Sequence, residues 1–108
     1  MRRTIYGREI PHPSIAISLH NLGYALEEQG NLADAQNHYE QALRMLLQVY
    51  NEQPHPEIVT AFRSLERVLL ARGNIDEAER YFTRAQAMRQ QVEINGYRAA
   101  GTVAWGQY

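Results

Sequence analysis

The chain has no cysteine among its 108 residues. This absence excludes a disulfide framework, a thiolate metal site and a cysteine nucleophile, and it fits a reducing compartment. No apolar run approaches the ~20 residues that a membrane-spanning helix requires, and the N-terminus lacks the apolar segment of a secretory signal. These absences favour a protein that does not contact a membrane, and we expect it in the cytoplasm.

Charge of one sign is also missing, because the formal net charge is −1. No basic run typical of a nucleic-acid-binding tail is present, so we expect no nucleic-acid partner. The sequence contains neither a glycine-rich phosphate loop nor an H-E-x-x-H metal motif. It therefore favours a non-catalytic protein, with no catalytic residue and no cofactor.

A long internal duplication is what the sequence does contain. His12-Pro13-Ser14-Ile15 begins one copy and His55-Pro56-Glu57-Ile58 begins the other, at an offset of 43 residues. At that offset Leu22 aligns with Leu65, Gly30-Asn31 with Gly73-Asn74, and Ala35 with Ala78. A period in this range indicates a helical repeat, whose extended surfaces are suited to binding.

Each copy predicts a pair of helices. In the first copy Leu19, Leu22 and Leu26 form one apolar helical stripe, which Gly30 ends in a left-handed conformation. Asn31 is then the predicted N-cap of the next helix, with Asp34 as its capping partner. The second copy repeats these features, with its first stripe on Phe62, Leu65 and Leu69. The predicted helices cover residues 14–29, 32–50, 57–72 and 75–94.

Small residues recur where the helices of a pair should touch: Ala35, Ala42, Ala78 and Ala85. Interhelical distances of ~8–10 Å depend on side-chain size at the contact. We expect Tyr39 and Phe82 to fill the space beside these alanines in their respective copies.

These residues carry a family resemblance. The pattern Leu19-x2-Leu22-Gly23-x2-Leu26, followed by Ala35-x3-Tyr39-x2-Ala42, resembles the tetratricopeptide repeat. The unit is longer than usual, and its His-Pro pair, the Leu19-His20-Asn21-Leu22 segment and the extended second helix resemble the kinesin-light-chain-like subtype. Glu66 departs from the small residue usual at its position. The resemblance implies an all-α fold, an antiparallel helix-pair superhelix of two full repeats plus a partial N-terminal helix.

The duplication also divides the chain. We expect residues 1–11 to be the end of a preceding repeat with its linker, 12–54 the first repeat, 55–95 the second, and 96–108 a Gly/aromatic tail. The second repeat resembles a C-terminal cap, because Leu43, Leu46, Leu47 and Tyr50 of the first align with Gln86, Arg89, Gln90 and Glu93. The tail is interpreted as a flexible end, an aromatic flap over the last helix, or a segment that docks in a groove.

The four histidines do not predict a metal site. His12 and His55 hold equivalent places at the start of the two repeats, where we expect them to bond the backbone, and His38 is a predicted surface residue beside Tyr39. Equivalent positions in successive repeats lie apart, whereas a metal needs converging ligands.

In the family that the chain resembles, the first helix of each repeat lines a concave, peptide-binding face. Asn21 can clamp a peptide backbone, Arg63 and Arg67 can hold a carboxylate, and Tyr24 offers a stacking face. A solvated polar face without a ligand is the alternative interpretation. The candidate peptide-binding residues are Ile17, His20, Asn21, Tyr24, Glu28, Thr60, Arg63, Ser64 and Arg67.

Two functional hypotheses follow. The first is an interaction module that binds a peptide or protein partner on the concave face, with an acidic-aromatic segment as the expected ligand. The second is a structural self-assembly or capping segment of a larger repeat protein. The first repeat should expose an apolar N-terminal face, because about three repeats are usually needed for a continuous core, and a homo-oligomer would cover that face.

Overall fold

Four helices account for the regular structure in the computed structural model, which describes the backbone of residues 11–105 and the side chains of residues 11–96. They are α1 (Pro13–Glu28), α2 (Leu32–Val49), α3 (Pro56–Ala71) and α4 (Ile75–Trp105), and no strand occurs within that range. The helices α1 and α2 pack as one pair, α3 and α4 as the next, and α2 contacts α3. The expected all-α helix-pair repeat is confirmed. The expected partial helix in residues 1–10 lies outside the described residues.

Both repeats begin with a histidine cap. The side chains of His12 and His55 accept hydrogen bonds from the backbone N–H groups of Ser14 and Glu57, at 3.1 Å in each case. A proline follows each histidine in the first turn, where its missing N–H group leaves no hydrogen bond unmade. The backbone role expected of these histidines is confirmed.

Glycines end α1 and α3 as predicted. Gly30 and Gly73 have φ values of 85° and 83°, a left-handed conformation that costs glycine little. The N–H group of Asn31 then bonds the carbonyl of Leu26 at 2.9 Å, which satisfies an otherwise unpaired helix-end carbonyl. Asn31 does occupy the N-cap position of α2, but its side chain makes no capping hydrogen bond, so that detail of the prediction is wrong.

The last helix is longer than expected. We predicted an end near residue 94, yet α4 continues through Gly96 to Trp105. Glycine in a helix interior costs only ~1 kcal/mol relative to alanine, and no proline follows residue 94 to break the helix. Each added residue also gains a backbone hydrogen bond.

The core lies between the helix pairs. All four predicted alanines are buried, together with Tyr39, Phe62, Leu65 and Leu69. Two expected core residues are instead exposed: Leu22 is 53% exposed and Phe82 is 47% exposed, whereas their equivalents Leu65 and Tyr39 are 0% exposed. Leu65 lies in α3, which packs against both α2 and α4, whereas α1 packs against α2 and no described helix precedes it to cover Leu22.

Phe82 differs from Tyr39 for the corresponding reason at the other end of the stack. Tyr39 lies in α2, which contacts both α1 and α3, whereas α4 contacts α3 and no described helix follows it. The neighbouring Tyr81 is half-buried instead, and its ring centroid lies 5.9 Å from that of Phe62 on α3. None of the described helices is long and apolar enough to cross a membrane.

Candidate functional site

A cleft with a volume of about 160 Å³ opens between α1 and α3. Ile17 and His20 of α1 form one wall and Thr60 and Glu57 of α3 form the other, with Ala16 and Leu46 also lining it. Both repeats contribute to the cleft because α1 and α3 are equivalent helices of successive repeats. Ile17 is 50% exposed, so an apolar side chain is presented to solvent at this wall.

His20 and Ser64 connect the two walls. His20 Nε2 lies 3.0 Å from Ser64 Oγ, and Ser64 is buried. The imidazole also lies against Tyr39, with 5.1 Å between ring centroids. Burial, followed by the nearby positive charge of Arg67, lowers the pKa of His20, which favours the neutral ring at pH 7.

A hydrogen-bonded network beside the cleft joins three helices. The carboxylate of Glu27 on α1 accepts from Arg67 on α3 at 2.6 and 2.8 Å, and from the Tyr39 hydroxyl on α2 at 2.7 Å. The hydrogen bonds from Arg67 are the main cause of a lowered Glu27 pKa, and they raise the pKa of Arg67 in turn. Burial and the bond to Glu27 raise the pKa of Tyr39 to about 12.

This network changes the interpretation of the two arginines. Arg67 directs Nε and one terminal nitrogen at Glu27, which is the two-point geometry that binds a carboxylate best. A ligand carboxylate would have to displace Glu27 to use the same donors. The expected joint clamp of Arg63 and Arg67 is therefore not assembled in this structure, although Arg63 is exposed.

The remaining candidates divide by exposure. Asn21, Tyr24 and Glu28 are exposed on α1, and a hydrogen bond to Glu28 is the main reason that the pKa of Tyr24 is raised. The cleft brings together Ile17, His20 and Thr60 of the predicted set, with Ser64 bonded behind His20.

Several residues of the site were not predicted. Ala16, Leu46 and Glu57 line the cleft, and Glu27 and Tyr39 form the network. Leu46 belongs to the apolar stripe of α2, so the pattern could have predicted that it is buried in the core. The pairing of Glu27 with Arg67 spans 40 residues and has no local signal. No group of three or more metal-ligating side chains occurs in the described part of the chain.

The comparison with protein-family models agrees with this architecture. The model described as Tetratricopeptide repeat matches residues 4–48 and 14–91. Comparisons with curated proteins and with solved structures give no match. Repeats of this family generally mediate protein–protein interaction and are non-catalytic. Because the two matches together span most of the sequence, the chain belongs to the tetratricopeptide repeat family.

Proposed function

We propose that the chain is a non-catalytic interaction module that binds an extended peptide or protein segment along the concave face formed by α1 and α3. The observation that supports this most is the cleft itself, which combines side chains from both repeats and exposes Ile17. A segment crossing the cleft would contact both repeats at once. We further propose the kinesin-light-chain-like subtype, from the 43-residue offset and the His-Pro pair that begins each repeat.

Selection from a phage-displayed library of random peptides, with the full chain as bait, tests this function. Selected peptides should bind the Ile17→Asp variant at least tenfold more weakly, because a carboxylate would replace the exposed apolar side chain at the cleft wall. Ile75→Asp is the matched control, since Ile75 is 49% exposed and lies outside the cleft. Equal affinity for wild type and Ile17→Asp would contradict binding at this site.

An acidic-aromatic segment remains the ligand class expected from Arg63, Arg67 and Tyr24. Because Arg67 is bound to Glu27, Arg63 is the arginine of the pair that would meet a ligand carboxylate. Arg63→Glu should then weaken acidic selected peptides, while Arg80→Glu on α4 serves as the charge-matched control. Unchanged affinity of acidic peptides for Arg63→Glu would rule out this ligand assignment.

Self-assembly is the second candidate function, and the exposure of Leu22 favours it. The equivalent Leu65 is buried in α3, which has a helix packed on either side of it, α2 and α4, so a second copy could cover the α1 face in a similar way. Sedimentation velocity at high micromolar concentration should then show a dimer that Leu22→Lys dissociates. A well-folded wild-type monomer under those conditions would exclude this candidate.

A further inference from the structure

We propose that the cleft between α1 and α3 accepts one apolar side chain, of leucine to phenylalanine size, from a segment in which the adjacent residue is basic. This inference rests on the proposed function, because it specifies the partner chemistry of the same site. It differs from the acidic ligand class expected from the arginines of α3.

The size and lining of the cleft select an apolar group. Ala16, Ile17 and Leu46 contribute only hydrocarbon, and the volume is about 160 Å³. An apolar cavity of ~150 Å³ is large enough to hold benzene. The cleft can therefore take one aliphatic or aromatic side chain, whose apolar surface would be removed from water.

The polar groups of the lining are already hydrogen-bonded within the protein. Thr60 donates its hydroxyl to the carbonyl of Pro56 at 3.2 Å, and His20 Nε2 is engaged with Ser64. A hydrogen-bond acceptor placed in the cleft would lose its bonds to water and find the Thr60 hydroxyl proton already donated, which is unfavourable. An apolar side chain carries no such cost.

The charge at the cleft favours a basic neighbour. Glu57 is the one acidic or basic side chain other than His20 among the described residues that line it. One Glu57 oxygen accepts from the Tyr50 hydroxyl at 3.0 Å, and the carboxylate retains further acceptor positions. Arg67 of α3 is held by Glu27, and Arg63 is not among the described residues that line the cleft. A ligand lysine or arginine next to the inserted side chain can therefore pair with Glu57, whereas a ligand carboxylate at that same position would be repelled by Glu57.

Methyl NMR of the full chain tests this directly, because Ala16, Ile17, Leu46 and Thr60 all carry methyl groups. The probes are three blocked tripeptides: acetyl-Lys-Leu-Lys-amide, acetyl-Glu-Leu-Glu-amide and acetyl-Lys-Ala-Lys-amide. We expect saturable shifts of these methyl signals with the first peptide, clearly weaker binding of the other two, and no change at Ile75.

A matched pair of variants separates the two parts of the inference. Glu57→Gln should weaken the Lys-Leu-Lys peptide about twofold to fivefold, the range for an exposed ion pair, and keeps an acceptor for Tyr50. Glu66→Gln on the same helix lies outside the cleft lining and should leave the affinity unchanged. Ile17→Ser should weaken the leucine peptides and leave any binding of the alanine peptide unaffected.

The outcomes distinguish this inference from the proposed function. Tighter binding of the Glu-Leu-Glu peptide at the same methyl groups would overturn the basic preference and leave concave-face binding intact. Equal binding of the Lys-Ala-Lys peptide would overturn the apolar side-chain pocket. If library-selected peptides bind the chain without shifting any cleft methyl signal, both the inference and the proposed function fail.

Discussion

The two repeats share a sequence pattern but differ in what covers them. Leu65 of α3 is fully buried, whereas Leu22 occupies the equivalent position of α1 and is about half exposed. Tyr39 and Phe82 show the reverse asymmetry, because here the residue of the first repeat is the buried one. A repeat position therefore specifies which face a side chain occupies, and the neighbouring helix decides whether that face is core.

The polar network also depends on which helices are neighbours. Glu27, Tyr39 and Arg67 join α1, α2 and α3. In the second repeat Leu70 and Phe82 align with Glu27 and Tyr39, and both are exposed. The junction between the repeats is thus closed by hydrogen bonds around a carboxylate, while the equivalent surface of the second repeat is apolar.

The largest expected contrast comes from truncating the equivalent leucines. Leu65→Ala should reduce the free energy of unfolding by about 2–5 kcal/mol, because it leaves a cavity in a packed core. Leu22→Ala should change it by less than ~1 kcal/mol, since exposed substitutions have small effects. Urea unfolding of both variants measures the difference. Similar losses would mean that the α1 face is as well covered as that of α3.

The next contrast concerns the close approach of α1 and α2. A Cβ atom added at Gly23 would lie 2.8 Å from two ring carbons of Tyr39 and 3.3 Å from the carbonyl oxygen of Ala35. Gly23→Ala should therefore cost about 1–3 kcal/mol through overpacking, despite the better helix propensity of alanine.

Glu66 occupies the equivalent position of α3 and provides the control. Phe82, which aligns with Tyr39, is about half exposed, so Glu66→Ala should have little effect on thermal or urea unfolding. A stabilised Gly23→Ala variant would show that the Tyr39 ring can move aside.

Removing the tyrosine hydroxyl makes the first repeat resemble the second. Tyr39→Phe deletes the 2.7 Å hydrogen bond to Glu27 and should cost about 0.5–1.5 kcal/mol. The reverse exchange, Phe82→Tyr, places a hydroxyl on an exposed ring and should be nearly neutral. Equal effects of the two exchanges in urea unfolding would show that the network contributes nothing to the junction.

The smallest expected effect is a pH dependence at the same junction. His20 faces Glu27 on its own helix, Tyr39 on α2, and Ser64 and Arg67 on α3. Its pKa is lower in the folded protein than the usual 6.5, so protonation favours the unfolded chain. The stability that neutral His20 provides is present above about pH 6.5 and is lost as pH falls below it.

His20→Gln should remove this contribution and keep a hydrogen-bonding group for Ser64. Urea unfolding from pH 7.5 to 5.5 should therefore show a smaller loss of stability in the variant than in wild type. His38→Gln, on α2 but outside the junction network, is the control for other histidine effects, because the His38 ring contacts the Asp34 carbonyl of its own helix. A slope in His20→Gln identical to that of wild type would contradict the prediction.

Much of the fold was predictable because its signals are local. The apolar stripes, the His-Pro starts and the glycine stops lie within a turn or two of the boundaries that they define, and the first three predicted helices agree with the structure to within one residue at each end. The end of α4 was missed because Gly96 weakens a helix without terminating it.

The candidate site was predictable only in part. The periodicity placed Ile17, His20 and Thr60 on equivalent faces of successive helices, and the structure brings these three to one cleft. It did not indicate that Arg67, one turn from Arg63, pairs with a carboxylate 40 residues away. Such pairings depend on how helices from different repeats approach each other.

The amino-acid sequence by itself determined the helix-pair repeat, its duplication and the alanine contacts within each pair, since periodicity and turn chemistry are properties of short segments. The tertiary structure decided which copies of a repeated residue are buried, which arginine is occupied and where the cleft lies. The physical reason is that burial, ion pairing and cavity shape depend on the neighbouring helices, and identical repeat positions in this chain have different neighbours.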